Sequence, residues 1–180
     1  AAMADALRDY SERERQRIRS VVDTDNAEVI KDREHTRELE HAVEATRERL
    51  VISSGWISDR VVNKVFCKKL EEAMQRGVMI TIYYGWQSQN QKHETNRSAQ
   101  KALNSFEKLK TNGRKKGWRG SIAWYEFATH EKILLVDDAY VILGSFNWLS
   151  NKGVRNAERS IKIRDQDLAR GIRLDMGGSQ

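Results

Sequence analysis

Residues 130–147 read HEKILLVDDAYVILGSFN. Two mainly apolar strand-like runs, Lys132–Val136 and Ala139–Leu143, flank the acidic pair Asp137-Asp138. Short apolar runs on either side of a two-residue polar break predict two antiparallel strands joined by a tight turn. Such a hairpin brings residues 130–132 alongside residues 144–147. Side chains alternate along a strand, so His130 and Lys132 point the same way. An imidazole and an ammonium converging on one spot repel metal cations and attract an anion. Gly144 allows close approach of the backbone to a ligand. Ser145 and Asn147 follow an apolar strand and suit the opening of a short helix, where free N–H groups favour phosphate. The combination describes a phosphate pocket holding a histidine. An imidazole changes charge near neutral pH, so it acts as a nucleophile when neutral and as an acid when charged. Lys132 is placed to neutralise charge that builds up on phosphoryl oxygens. A single histidine at a strand end is ordinarily structural. Six residue types at fixed spacing (His130, Lys132, Asp137, Gly144, Ser145, Asn147) are much harder to explain as packing.

Around this hairpin the sequence alternates strand and helix patterns. Residues 50–54 read as a buried strand. Ser58 can cap a helix with Val61, Val62, Val65, Phe66, Leu70, Ala73 and Met74 inward, stopped by Gly77. Residues 78–84 form a second strand. Thr95 opens a helix carrying Ala99, Ala102, Leu103, Phe106 and Leu109, with Gly113 after it. Residues 121–127 and 159–163 complete the strands. Alternation of this kind predicts an α/β fold with a mixed, mostly parallel sheet flanked by helices. The chain has 180 residues and no proline, and we have no physical account of the latter.

The first 49 residues differ in texture. Met3, Leu7, Tyr10, Ile18 and Val21 recur at helical spacing, and Asp25 with Glu28 reads as the start of a second helix running to about residue 48. Its apolar stripe is thin (Val29, Leu39, Val43, Leu50), which suits a charged helical arm or linker packed on a partner, or equally a peripheral helix. The expected organisation is an arm at 1–49, a catalytic domain at 50–175 and a disordered tail at 176–180. Ala1-Ala2-Met3 and the terminal Gly-Gly-Ser-Gln resemble the ends of a piece cut from a longer chain. His35 and His41 are expected on the arm's surface. His93 lies in the polar stretch 87–95, where histidines are ordinarily solvated.

The chain is 39% hydrophobic and 32% charged, with a formal net charge of +6. Residues 1–49 hold 10 Lys/Arg against 13 Asp/Glu, so the excess belongs to the rest of the chain. Residues 92–120 alone hold 9 basic and 2 acidic residues. Concentrated positive charge attracts polyanions. Arg114, Lys115, Lys116, Trp118 and Arg119 combine phosphate-binding charge with an aromatic surface for base stacking, so they are candidate substrate contacts. The competing reading folds Trp118 back over the core. Trp86 and Trp124 have the same two readings, whereas Trp56 and Trp148 flank core strands and read as packing residues. No apolar run is long enough to span a bilayer, the start lacks the order of a signal peptide, and Cys67 is the lone cysteine. These features favour a cytoplasmic protein with no membrane partner and no cysteine-based metal site.

The pattern His130-x-Lys132-x4-Asp137-x6-Gly144-Ser145-x-Asn147 resembles the HKD motif of the phospholipase D superfamily. Residues 52–57 resemble a first core strand of many members, and Asn156-Ala157-Glu158 matches an Asn-x-Glu that often follows. The resemblance covers residues 50 to about 165 and implies a phospholipase D-like fold. It implies a metal-free, cofactor-free mechanism in which one histidine attacks phosphorus and a second protonates the leaving oxygen. It assigns phosphate binding to Lys132, Asn147 and Ser145, orientation of the histidine to Glu158, and support of site geometry to Asp137. One HKD motif per chain, as in the small bacterial nuclease branch, implies a homodimer through the active site, with two His130 rings titrating as a coupled pair.

The expected function is therefore a metal-independent nuclease, with DNA ahead of RNA as partner. By analogy it suits the nuclease domain of a larger restriction or defence protein, fused to or associated with a helicase or ATPase module. The alternatives are a phospholipid phosphodiesterase of the same superfamily, or a non-catalytic nucleic-acid-binding or dimerisation module.

Overall fold

A computed structural model describes residues 26–85, 93–126, 129–153 and 157–178. Its elements, in order, are β1 (Ala27–Lys31), α1 (Glu34–Ala45), β2 (Arg49–Ser54), α2 (Lys64–Arg76), β3 (Met79–Tyr84), α3 (His93–Lys116), β4 (Ser121–Glu126), β5 (Ile133–Val136), β6 (Tyr140–Gly144), β7 (Arg159–Ile163) and α4 (Gln166–Gly178). The seven strands form one mixed sheet in the order β1-β7-β6-β5-β2-β3-β4. Only β2·β3 and β3·β4 are parallel; β1·β7, β7·β6, β6·β5 and β5·β2 are antiparallel. The sheet is mixed as expected, but antiparallel pairings outnumber parallel ones. The physical reason is that β5 inserts beside β2 in the reverse sense, and everything beyond it continues as a meander.

Alternation along the strands sorts two cores. Leu50, Ile52, Ile80, Ile82, Ile122, Leu134, Val136 and Ile142 face Leu39 and Val43 of α1, Phe66, Leu70 and Met74 of α2, and Phe106 and Leu109 of α3. The other face is smaller: Val51, Tyr83, Ile133, Leu135 and Val141 pack with Ile172 and Met176 of α4. All three first-face helices start at the same sheet edge, because each enters after a strand that ends there or returns to one that begins opposite.

Local chemistry explains most element ends. Asn63, not Ser58, caps α2: its side chain accepts the N–H groups of Val65 (2.9 Å) and Phe66 (3.1 Å). Ser58 instead anchors a turn through its carbonyl, which accepts from Val61 and Val62. Gly77, at φ +106°, ends α2 in the left-handed region. The long α3 runs through Gly113 to Lys116, past the expected stop, because Gly113 lies against Trp118 and Met74, where a Cβ would touch both.

Residues 27–48 correct the expectation of one helix. Ala27–Lys31 is a strand paired with β7, and only Glu34–Ala45 is helical. Leu39, Ala42 and Val43 are buried in the main core, so this segment is part of the domain rather than an arm upon it. The expected helix over residues 1–22 lies outside the described residues. At the other end, α4 continues to Gly178, into the stretch expected as tail.

Candidate active site

Pairing of Ser53 with Ile133, Ile133 with Leu143, and Gly144 with Ser160 sets the start of β5, the end of β6 and the start of β7 at one sheet edge. His130 and Lys132 lie just ahead of β5, and His130 is exposed there. The buried Thr129 hydroxyl accepts the Glu131 N–H at 3.1 Å, fixing the approach. Lys132 Nζ folds back and donates to the His130 carbonyl at 2.6 Å. Burial holds the Lys132 ammonium below its ordinary pKa, and the nearby Glu158 charge partly offsets this.

Glu158 is buried and fully engaged. One carboxylate oxygen accepts the Ser145 hydroxyl, and the other accepts Asn151 Nδ2 at 2.9 Å. Its backbone N–H donates to Asp32 Oδ1 at 3.0 Å, while its carbonyl accepts the Asp32 N–H at 3.1 Å. Asp32 takes a positive φ of +44° to make this clasp. The carboxylate charge is thus held fixed between Lys132 and Ser145. Asn147 Oδ1 is buried with no hydrogen-bond partner among the described residues. The Asn147 carbonyl accepts from Ser150 (3.2 Å) and Asn151 (3.0 Å), so residues 147–151 make a single turn, not the expected short helix.

Two other site expectations change. A Cβ on Gly144 would lie 2.2 Å from Ser160 Oγ and 2.4 Å from the Arg159 carbonyl. The glycine therefore serves close approach of β6 to β7, not of backbone to ligand. Asp137 sits at the far end of the hairpin, four strand residues from Lys132, or roughly 15 Å away. There its carboxylate accepts the backbone N–H groups of Arg47 (3.1 Å), Glu48 (2.8 Å) and Arg49 (2.8 Å). It clamps the entry to β2 and stands apart from the chemistry. The connection it opens spans three residues, 137–139, with Asp137 at φ +52°.

The basic segment also lies at the far edge. Residues 114–119 precede Ser121, which pairs with the first residue of β3. Six strand residues, roughly 20 Å, separate that edge from the end of β4. Trp118 packs on the main core, with Lys116 Nζ over its ring at 5.4 Å. Within the chain, Arg114, Lys115, Lys116, Trp118 and Arg119 therefore lie at the opposite sheet edge from His130. Trp124 lies tilted against Phe106, with ring centroids 5.9 Å apart, and Trp148 is fully buried. Asn156, Trp86 and the His93 side chain lie outside the described residues.

Sequence reasoning missed His35. It is fully buried rather than on the surface, as was expected, whereas His41 is exposed. The His35 ring stacks on Phe146 at 4.3 Å; Nδ1 lies 2.9 Å from the Asp32 carbonyl and Nε2 2.8 Å from Ser160 Oγ. It thereby props the turn between Ser145 and Asn147 from below. The Asp-x-x-His spacing across a helix start was the one available signal.

Comparison with known proteins places the chain in a family. Residues 37–176 match the family described as cardiolipin synthase, PLD-like domain. The chain belongs to the phospholipase D superfamily. A phospholipase D from Rickettsia conorii is 26% identical over 134 residues, covering 74% of this chain; the chain spans 58% of that protein's length. Among solved structures, the phospholipase D family member Nuc from Salmonella typhimurium superposes with a TM-score of 0.57 at 18% identity, covering 81% of this chain and 88% of Nuc. A phosphatidylserine synthase from Haemophilus influenzae gives 0.60 at 15% identity, covering 84% of this chain but 38% of its own. These likenesses establish the fold, and family membership supports phosphodiester chemistry. Among the described residues, no helix is long and apolar enough to cross a membrane.

Proposed function

We propose that this protein is a metal-independent phosphodiesterase that cuts nucleic acid, DNA ahead of RNA, through a covalent phosphohistidine on His130. The observation that supports the reading is the sheet edge: the hairpin register sets the segment bearing His130 and Lys132 beside the one bearing Ser145 and Asn147, with Lys132 bonded to the His130 carbonyl and Ser145 to Glu158. His130 attacks phosphorus and forms a P–N bond as the P–O bond to the leaving oxygen breaks. That oxygen takes its proton from His130 of a second copy, docked through the active site. Water then adds to phosphorus, gives its proton to that second ring, and releases His130. Lys132 Nζ and the Asn147 side-chain Nδ2–H donate to the phosphoryl oxygens, and Glu158 positions Ser145 and supports the Lys132 charge. Asp137 acts on stability alone. A role in restriction or defence, alongside a helicase or ATPase, would be served by the same reaction.

A second reading is a phospholipid phosphodiesterase, favoured by the matched family description and the name of the Rickettsia conorii relative. Purified protein incubated with plasmid, single-stranded DNA, RNA and phosphatidylglycerol vesicles, all with EDTA, separates the two. The proposal expects nucleic acid cleavage that His130→Ala abolishes. Turnover of lipid alone would transfer the site to the second reading, and binding without turnover of either would leave a non-catalytic module.

A further inference from the structure

A groove of about 740 Å³ runs between α1 and α2, beginning against the active-site turn. Its floor is apolar, built from Leu39, Val61, Phe66 and Phe146, and its rim carries Arg33, Arg37, Arg60, Lys69 and Lys152 against a single acid, Glu40. Lys69 is held by Glu40 and Glu44. Arg33, Arg37, Arg60 and Lys152 form no ion pair among the described residues, and Arg33, Arg37, Arg60 and Lys152 are all exposed. The groove joins the site at two points: Phe146 lies between Ser145 and Asn147, and Asn151, on the wall, donates to Glu158. Arg33 follows Asp32, which holds the Glu158 backbone.

We propose that this groove binds the single strand of nucleic acid flanking the scissile phosphate, with guanidinium groups on successive phosphates and unstacked bases toward the apolar floor. The inference rests on the nuclease reading and names where its polymer lies. Charge decides the occupant. A phospholipid diester places its phosphate at His130 and has no repeating charge to offer four further cations. A strand carries one phosphate per nucleotide, and guanidinium forks match phosphate oxygens in pairs. The surface is distinct from the basic segment at residues 114–119, which faces the far edge.

The test uses the triple variant Arg33→Gln, Arg37→Gln, Arg60→Gln, compared with the parent by thermal unfolding to confirm the fold. Two substrates are assayed with EDTA: a single-stranded oligonucleotide and the small diester bis(4-nitrophenyl) phosphate. The groove predicts that kcat/KM for the oligonucleotide falls at least tenfold further than for the small diester. Binding of a fluorescent oligonucleotide is then titrated with salt in His130→Ala, with and without the triple change. Losing three phosphate contacts lowers the slope of log K against log salt by about 2. An unchanged slope, equal losses on both substrates, or selective loss of phosphatidylglycerol vesicle turnover overturns the proposal. A parent that binds with the expected slope change yet cuts no oligonucleotide refutes the nuclease reading while leaving the groove in place.

Discussion

The two ends of the β5–β6 hairpin carry the same motif and do different work. At one end, His130, Lys132, Ser145, Asn147 and Glu158 gather with a half-buried ammonium, a fixed carboxylate and an unpaired acceptor. At the other, Asp137 spends its carboxylate on three backbone N–H groups, and along the same sheet edge Trp118 packs on the core while the basic residues around it are exposed. At the first end the side chains gather around the exposed His130, whereas at the second Asp137 is taken up in clamping backbone.

Lys132→Met should break the contrast most sharply. Phosphodiester turnover should fall by about two to three orders of magnitude. Stability at neutral pH should hold or rise, because burial keeps the Lys132 pKa below its unfolded value. A lysine with a lowered folded pKa costs stability while charged. That cost is present at neutral pH and is relieved as pH rises through the lowered value toward the unfolded one. The gap between variant and parent in urea midpoints should therefore narrow in alkali; a gap that widens there would assign Lys132 a stabilising role.

His35→Leu should couple the two properties. Loss of both ring hydrogen bonds and the Phe146 stack should cost about 2–3 kcal/mol in urea unfolding. Because the ring props the turn bearing Asn147, turnover by the folded fraction should also drop, by roughly tenfold. Full activity per folded molecule would show that the turn keeps its shape without the ring.

Asp137→Ala should separate them. Three N–H donors lose a charged acceptor, but water reaches the site, so about 1–3 kcal/mol of stability is expected to go. Activity per folded molecule, assayed well below the melting range, should stay within about twofold. A large drop at unchanged stability would return Asp137 to the chemistry.

These contrasts bear on what the sequence made legible. The hairpin, the Lys132–Asn147 spacing and strands β2 to β7 follow from apolar runs and turn chemistry that act locally. β1 does not: AEVIK is five residues long, Val29 on it is half exposed, and its partner β7 lies some 130 positions away. Asp25 and Glu28 mimic a helix cap, and only tertiary pairing overrides them. His35 was hidden for a related reason: burial of a histidine on a charged helix depends on Phe146 and Ser160, which arrive from the other end of the chain. The basic residues 114–119 were read as a substrate contact because charge density says nothing of which sheet edge it occupies.

The smallest effect is expected there. Replacing Arg114, Lys115, Lys116 and Arg119 together by Gln, with Trp118 kept to preserve its packing, should change oligonucleotide kcat/KM by less than about threefold at physiological salt, through weakened long-range attraction alone. A larger fall that survives high salt would place substrate on the far edge after all.

The most direct measurement is rapid acid-free quenching of the protein during turnover of a labelled oligonucleotide, followed by peptide mapping under alkaline conditions. The account predicts a phosphorus adduct on His130 that is stable in alkali, labile in acid and missing in His130→Ala. Steady cleavage with EDTA present, no adduct at any time point and persistence of activity in His130→Ala would contradict it.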